Sequence, residues 1–191
     1  AIKDINFSIR WLRKNANQFN IVPSSIGLLG TSSGGHQAIL NALLPNNPNF
    51  LDAELEYQTV DPTVGHVIAC WPVLDPSARY EMVLNRGIQR LIDAHHAFWP
   101  SIEMMSEGNP QKIIEQCAQE KLPNLLLLQG TKDDNLTPNM ADHFLEAYTR
   151  AGGNIILEKF RSQPHAFIGK KPQSNASLKA LNILTKFVLE E

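Results

Sequence analysis

The stretch IGLLGTSSGGHQAIL, residues 26–40, runs from apolar residues through Gly30, Thr31, Ser32, Ser33, Gly34 and Gly35 and straight back to an apolar pattern. Such a switch marks a sharp backbone bend, because glycine and small neighbours turn tightly at low steric cost. Residues 26–30 read as a short strand buried on both faces. Residues 34–44 read as a helix, stopped by Pro45 and the Asn/Pro-rich run that follows. Three bends join a strand to a helix in this way. A phosphate-binding loop needs Lys and a hydroxyl residue after its second glycine, and His36 and Gln37 stand there instead. A dinucleotide turn needs a middle glycine where Ser32 stands. The third is G-x-S-x-G, met by Gly30, Thr31, Ser32, Ser33 and Gly34. Here a strained turn projects the Ser32 hydroxyl above the sheet, and the Ser33 amide can donate to a developing oxyanion. The following helix adds partial positive charge at its N-terminus.

Outward from the bend, strands alternate with helices. Ile2, Ile5, Ile9 and Leu12 recur at helical spacing. Residues 66–71 read as a second buried strand, and 124–129 and 154–160 as the third and fourth strands. Thr137 and Pro138 suit a helix start, with Thr as N-cap and Pro at the first helical position, and that helix should run to about Arg150. A last amphipathic helix over 174–190 offers Leu178, Leu181, Ile183, Leu184, Phe187 and Val188 to the core. The pattern predicts an α/β fold, a parallel sheet with helices on both faces, in a single domain spanning 1–191. Function then belongs at the carboxyl ends of the strands.

The 191 residues are 43% hydrophobic with a formal net charge of -2, which suits a globular core and gives nucleic acid no basic stripe to bind. No apolar run reaches the length of a membrane span. Cys70 and Cys117 sit in apolar contexts and read as buried free thiols, which favours a reducing, cytoplasmic setting.

A serine hydroxyl needs a base, and the base needs a third group to orient it. In this architecture the chain order is Ser, then Asp or Glu, then His. Asp133 and Asp134 follow the 124–129 strand, and His165 follows the last strand. His36, His66, His95, His96 and His143 lie within helices or at a strand start, and none has metal-ligand spacing. No cofactor or metal is called for. Trp71 and Pro72, at the end of the second strand, are candidates to line the site. Residues 77–108 lack strand patterns and read as a helical cap over the strand ends. Its Tyr80, Met82, Ile88, Leu91, Phe98 and Trp99 either wall the site or form the cap's own core.

With these residues in order, the sequence resembles the α/β-hydrolase superfamily in its bacterial carboxylesterase and lipase branch. LLGTSSGGH resembles the nucleophile elbow, LLLLQGTKDDNLTP the acid loop, and QPHAF the histidine loop. In that family the acid stands three residues after the loop glycine, which from Gly130 gives Asp133. The resemblance implies a serine hydrolase acting on small, uncharged acyl or aryl esters through Ser32, His165 and Asp133, with the Ser33 amide in the oxyanion hole. Amide or peptide cleavage by the same residues, or a truncated non-catalytic binding relative, are the alternatives. The family also carries an upstream block of strands and a loop supplying further oxyanion donors, and no such motif occurs here. Relative to a full domain, roughly 80–100 residues are expected to be missing. A second chain or a homo-oligomer could then complete the sheet.

Overall fold

The computed structural model describes residues 1–51, 55–116 and 121–190, so Cys117 lies outside the described residues. Along the chain run α1 (Ile2–Lys14), β1 (Gly27–Thr31), α2 (Ser33–Leu43), α3 (Leu55–Gln58) and β2 (His66–Cys70). Then come α4 (Pro76–Asn85), α5 (Gln89–Phe98), α6 (Ile102–Glu107), α7 (Pro110–Gln116) and β3 (Asn124–Gly130). The last elements are α8 (Met140–Arg150), β4 (Ile155–Phe160), α9 (Phe167–Lys170) and α10 (Asn175–Glu190).

The four strands form one parallel sheet in the order β1-β2-β3-β4. With every step in the same direction, right-handed crossovers put the connecting helices on one face. Accordingly α2 packs on α7 and α7 on α8. After β4 the chain returns over the other face, where α10 crosses β3 and Phe187 meets the His66 ring at 6.0 Å. The expected α/β sheet with helices on both faces is therefore present.

Burial follows position in the sheet. Leu125 to Leu128 on β3 and Val67 to Cys70 on β2 are sealed from solvent, as central strands between two helical layers should be. Among the described residues β1 pairs only with β2, so it is not buried on both faces as its sequence suggests; Leu29 is 63% exposed. Two helices also differ from their sequence reading. α8 starts at Met140, not Pro138, with Asn139 as its cap in the left-handed conformation (φ 62°). Asn tolerates that region, and it lets the chain turn once more after Pro138 before the helix begins. On α10, Ser177, Ala180 and Phe187 are buried and Ile183 and Leu184 partly so. Leu178, Leu181 and Val188 are exposed on its outer side.

All four strands point their carboxyl ends at one rim. Ser32 directly follows β1, Trp71 follows β2, Asp133 comes three residues after β3, and His165 comes five after β4. Helices α4 to α6 leave the chain between β2 and β3, and α4 and α5 share a small core of Val83, Leu91 and Ile92 with Tyr80, Met82 and Ile88 packed on it.

Candidate active site

The bend after β1 is tight for identifiable reasons. Ser32 has φ 53° and ψ -119°, outside the regions an L-residue prefers. Its amide donates to the Cys70 carbonyl at 2.9 Å, and its carbonyl accepts from the His36 amide at 3.1 Å. A Cβ on Gly30 would stand 2.3 Å from the Gly34 carbonyl oxygen, and one on Gly35 would stand 2.9 Å from the Pro72 Cβ. Gly34, the last glycine of the G-x-S-x-G pattern, faces open space. The close approach is thus made by Gly30 and Gly35. Ser33 opens α2, so its amide is among the helix's first donors, which have no partner within the helix.

The acid loop is tied to the histidine loop. A Cβ on Gly130 would meet the Gln163 carbonyl oxygen at 2.3 Å, so only glycine lets the two backbones approach. The Lys132 amide donates to that carbonyl at 2.9 Å, and the Ser162 amide donates to Thr131 Oγ1 at 2.8 Å. Left-handed residues Ser162 (φ 61°) and Ala166 (φ 58°) bracket His165 and turn its ring back over the sheet.

These constraints bring the three predicted side chains together. His165 Nε2 lies 3.1 Å from Ser32 Oγ, and His165 Nδ1 lies 2.8 Å from Asp133 Oδ2. The Asp133 side chain is 2% exposed and that of His165 12%. The carboxylate is further fixed by Gln129 Nε2, which donates to Oδ2 at 3.0 Å, and by the Asn135 amide, which donates to Oδ1 at 3.0 Å. Asp134 is exposed and takes no part. In a neutral imidazole whose Nδ1–H donates to Asp133, Nε2 is left to accept the Ser32 proton.

Trp71 and Pro72 are buried and do not line the cavity in front of Ser32. Pro72 packs on Gly35. Trp71 adopts φ 43°, unusual for so bulky a residue, and lays its ring 6.1 Å from His165 and 5.3 Å from Phe167. Its contact with the imidazole is edge-on.

The cavity measures about 390 Å³ and is lined by Ser32, Ser33 and His165 together with residues of α4 and α5. Of the six apolar candidates, Leu91, Phe98 and Trp99 reach it, while Tyr80, Met82 and Ile88 serve the α4–α5 core. Sequence reasoning missed its polar members. His36 lies under the aromatic rings of Phe98 and Trp99, and Nε2 donates to the Gly108 carbonyl at 2.8 Å. Burial holds its pKa below the usual imidazole range, so it stays neutral. Arg79 Nε donates to the Asn135 carbonyl at 2.9 Å, and Arg90 reaches the Asn135 side-chain oxygen at 3.3 Å. His95 Nε2 lies 3.1 Å from an Arg79 nitrogen, and burial, Arg79 and His96 push its pKa down to about 4. The cavity thus carries two guanidinium groups that the sequence alone does not place there. His36 stands on α2 just past the elbow, whereas Arg79, Arg90 and His95 belong to no local motif and meet only because α4 and α5 fold over the acid loop. Among the described residues no cluster of His, Cys, Asp or Glu could hold a metal ion.

The BD-FAE family profile matches residues 1–148, more than three quarters of the chain. The chain belongs to the BD-FAE family. This BD-FAE chain is 28% identical over 153 residues to Esterase LipC of Mycobacterium tuberculosis, covering 76% of the chain and 35% of that protein. It is 23% identical over 177 residues to the probable carboxylic ester hydrolase LipM of the same organism, covering 87% of the chain and 38% of that protein. It thus spans little more than a third of the curated relatives it matches. Thermogutta terrifontis esterase 2 in its propionate-bound form superposes with a TM-score of 0.76 at 25% identity, over 99% of this chain and 64% of that one. That esterase is also known phosphorylated by paraoxon. The BD-FAE chain accordingly has the α/β-hydrolase fold.

Proposed function

We propose that this chain carries the catalytic centre of a carboxylic ester hydrolase. The observation that supports it most is the single hydrogen-bonded line from Ser32 Oγ through His165 to Asp133. Ser32 Oγ attacks the ester carbonyl as His165 Nε2 takes its proton, and the carbonyl electron pair moves onto oxygen. The Ser33 amide donates to that oxyanion at the positive end of α2. Collapse expels the alcohol oxygen, which takes the proton from His165 and leaves an acyl group on Ser32. Water, deprotonated by His165, then releases the acid and restores the serine. Asp133 holds the imidazole in the productive tautomer and stabilises its charged form. No cofactor enters the sequence. The esterase names of both relatives, and the paraoxon adduct of the structural neighbour, support the same reading.

Residues 77–108 act as a cap that shapes the acyl or aryl pocket through Leu91, Phe98 and Trp99. The free outer edge of β1, with Leu29 exposed beside it, is the place for a further strand to join, from the same polypeptide or another. Among the described residues no helix is long and apolar enough to cross a membrane. Turnover of a 4-nitrophenyl short-chain ester tests the reading: release of nitrophenol that Ser32→Ala abolishes is expected, and release that survives Ser32→Ala would overturn it.

A further inference from the structure

We infer that the ester taken by this site carries a carboxylate, bound by the guanidinium groups of Arg79 and Arg90 on the cap wall of the cavity. The inference rests on the hydrolase reading above and names its substrate class.

The first observation is the cavity's charge. Both arginines line it, and no Asp or Glu does. Neither guanidinium forms an ion pair with a carboxylate among the described residues, although Arg13, Lys159 and Lys186 elsewhere each have one. Asp133, the acid whose charge Arg79 feels, is already committed to His165, Gln129 and Asn135.

The second is that the pair stands in an arrangement that costs energy without an anion. Arg79 is half-buried, and its burial and the nearby charge of Arg90 both act to lower its pKa. Two like charges sharing a partly enclosed cavity repel, and the low local dielectric strengthens that repulsion. His95, 4% exposed beside them, stays neutral and accepts from Arg79 at Nε2, which leaves its Nδ1 as the donor, and that nitrogen has no partner. The nearby charge of Asp133 offsets part of this, but it makes no ion pair with either guanidinium, so the site presents donors and positive charge with no carboxylate paired to them among the described residues.

The third is geometry. Arg79 and Arg90 converge on one residue, Asn135, with one nitrogen of each guanidinium used there. Arg79 spends a second nitrogen on His95, and each arginine keeps N–H groups without a partner among the described residues. A planar fork with spare donors suits a carboxylate, which accepts two parallel hydrogen bonds. Asn135 is two residues from Asp133, whose partner His165 lines the same cavity. Ser32 lines the same cavity as both arginines, so an ester held there can present its carbonyl to Ser32 and its carboxylate to the guanidinium groups.

The competing view is that the arginines only clamp the cap to the acid loop. Paired substrates separate the two, because a clamp affects both members of a pair alike. The rate of acid release at constant pH would be followed for monomethyl adipate against methyl hexanoate, with the charge on the acyl side. O-acetyl glycolate against ethyl acetate places it on the alcohol side. In at least one pair, kcat/KM for the charged ester should exceed that of its neutral partner by roughly tenfold or more, and Arg90→Gln should bring that ratio down by about as much. Arg79→Lys, which keeps the charge but loses the fork, should give an intermediate ratio. The pair that responds identifies which half of the ester bears the carboxylate. Ratios near one in both pairs, or a preference that Arg90→Gln leaves unchanged, would overturn the inference while the hydrolase reading stands. Absence of turnover on all four esters would overturn both.

Discussion

The rim of the sheet and the cap wall face each other across one cavity, and they are specified in different ways. At the rim the backbone fixes everything. Gly30, Gly35 and Gly130 permit approaches that no side chain would allow, and Ser32, Trp71, Ser162 and Ala166 are held at positive φ. Strain of this kind persists only where the surroundings over-determine the conformation. On the cap wall nothing is strained. Arg79, Arg90 and His95 stand on ordinary helices; the two arginines reach Asn135 through long side chains, and His95 meets Arg79. In the proposed function the rim carries the reaction, which tolerates little displacement, and the wall carries selection.

Substitutions should separate the two regions by the size of their effects. At the rim, Ser32→Ala should cost on the order of a million-fold in kcat, and His165→Ala a similar amount, because the two act as a unit. Asp133→Asn should cost about ten-thousand-fold by favouring the wrong imidazole tautomer, whereas the exposed Asp134→Asn should stay within about twofold. Steady-state kinetics on a neutral ester checks all four, and equal losses for the two Asp variants would break the assignment of the acid.

Stability should divide within the elbow itself. Gly30→Ala forces a methyl against the Gly34 carbonyl and should destabilise the fold by about 1–3 kcal/mol. Gly34→Ala, helical and facing open space, should instead stabilise it by roughly 0.5–1 kcal/mol. Urea unfolding decides this, and a destabilised Gly34→Ala would show that the motif glycine, not its neighbour, makes the close contact.

The rim was legible in the sequence and the wall was not, for a physical reason. Ser32, Asp133 and His165 each follow a different strand, and a parallel sheet must bring those three ends together whatever the details between them. Arg79 and Arg90 have no such rule, since their meeting depends on how α4 and α5 pack on each other and on the acid loop. Trp71 ends a strand and so reads as a lining residue, but its ring packs edge-on against His165 and Phe167 and stays out of the cavity lining. On α10 apolar residues occur on nearly every side, so periodicity alone could not say that Ser177 and Ala180 turn inward while Leu178 and Leu181 turn out. The helix start near Pro138 was misplaced because Asn139 adopts a left-handed turn that a proline-led reading does not anticipate.

A smaller effect belongs to the wall. The pKa of His95 is about 4 in the fold against an ordinary value of 6.5, so the unfolded chain binds its proton more readily between those values. Its contribution to stability is complete above about pH 6.5 and is lost as the pH falls toward 4. His36 is depressed by burial and acts in the same sense. Thermal unfolding between pH 7 and 4 should therefore show falling stability, with a shallower slope in His95→Gln. An unchanged slope would mean that His95 is not held neutral by the wall. Cys70 should be the quietest group: burial pushes its thiol up to about 11, so iodoacetamide at neutral pH should leave it unmodified until the protein unfolds.

At the centre of the proposed function stands a Ser32 activated by His165. Intact-mass analysis after exposure to a fluorophosphonate, followed by peptide mapping, tests it most directly. One adduct, located on Ser32 and absent from both Ser32→Ala and His165→Ala, is the predicted result. An unmodified protein, or labelling of Ser32 that persists without His165, would contradict it.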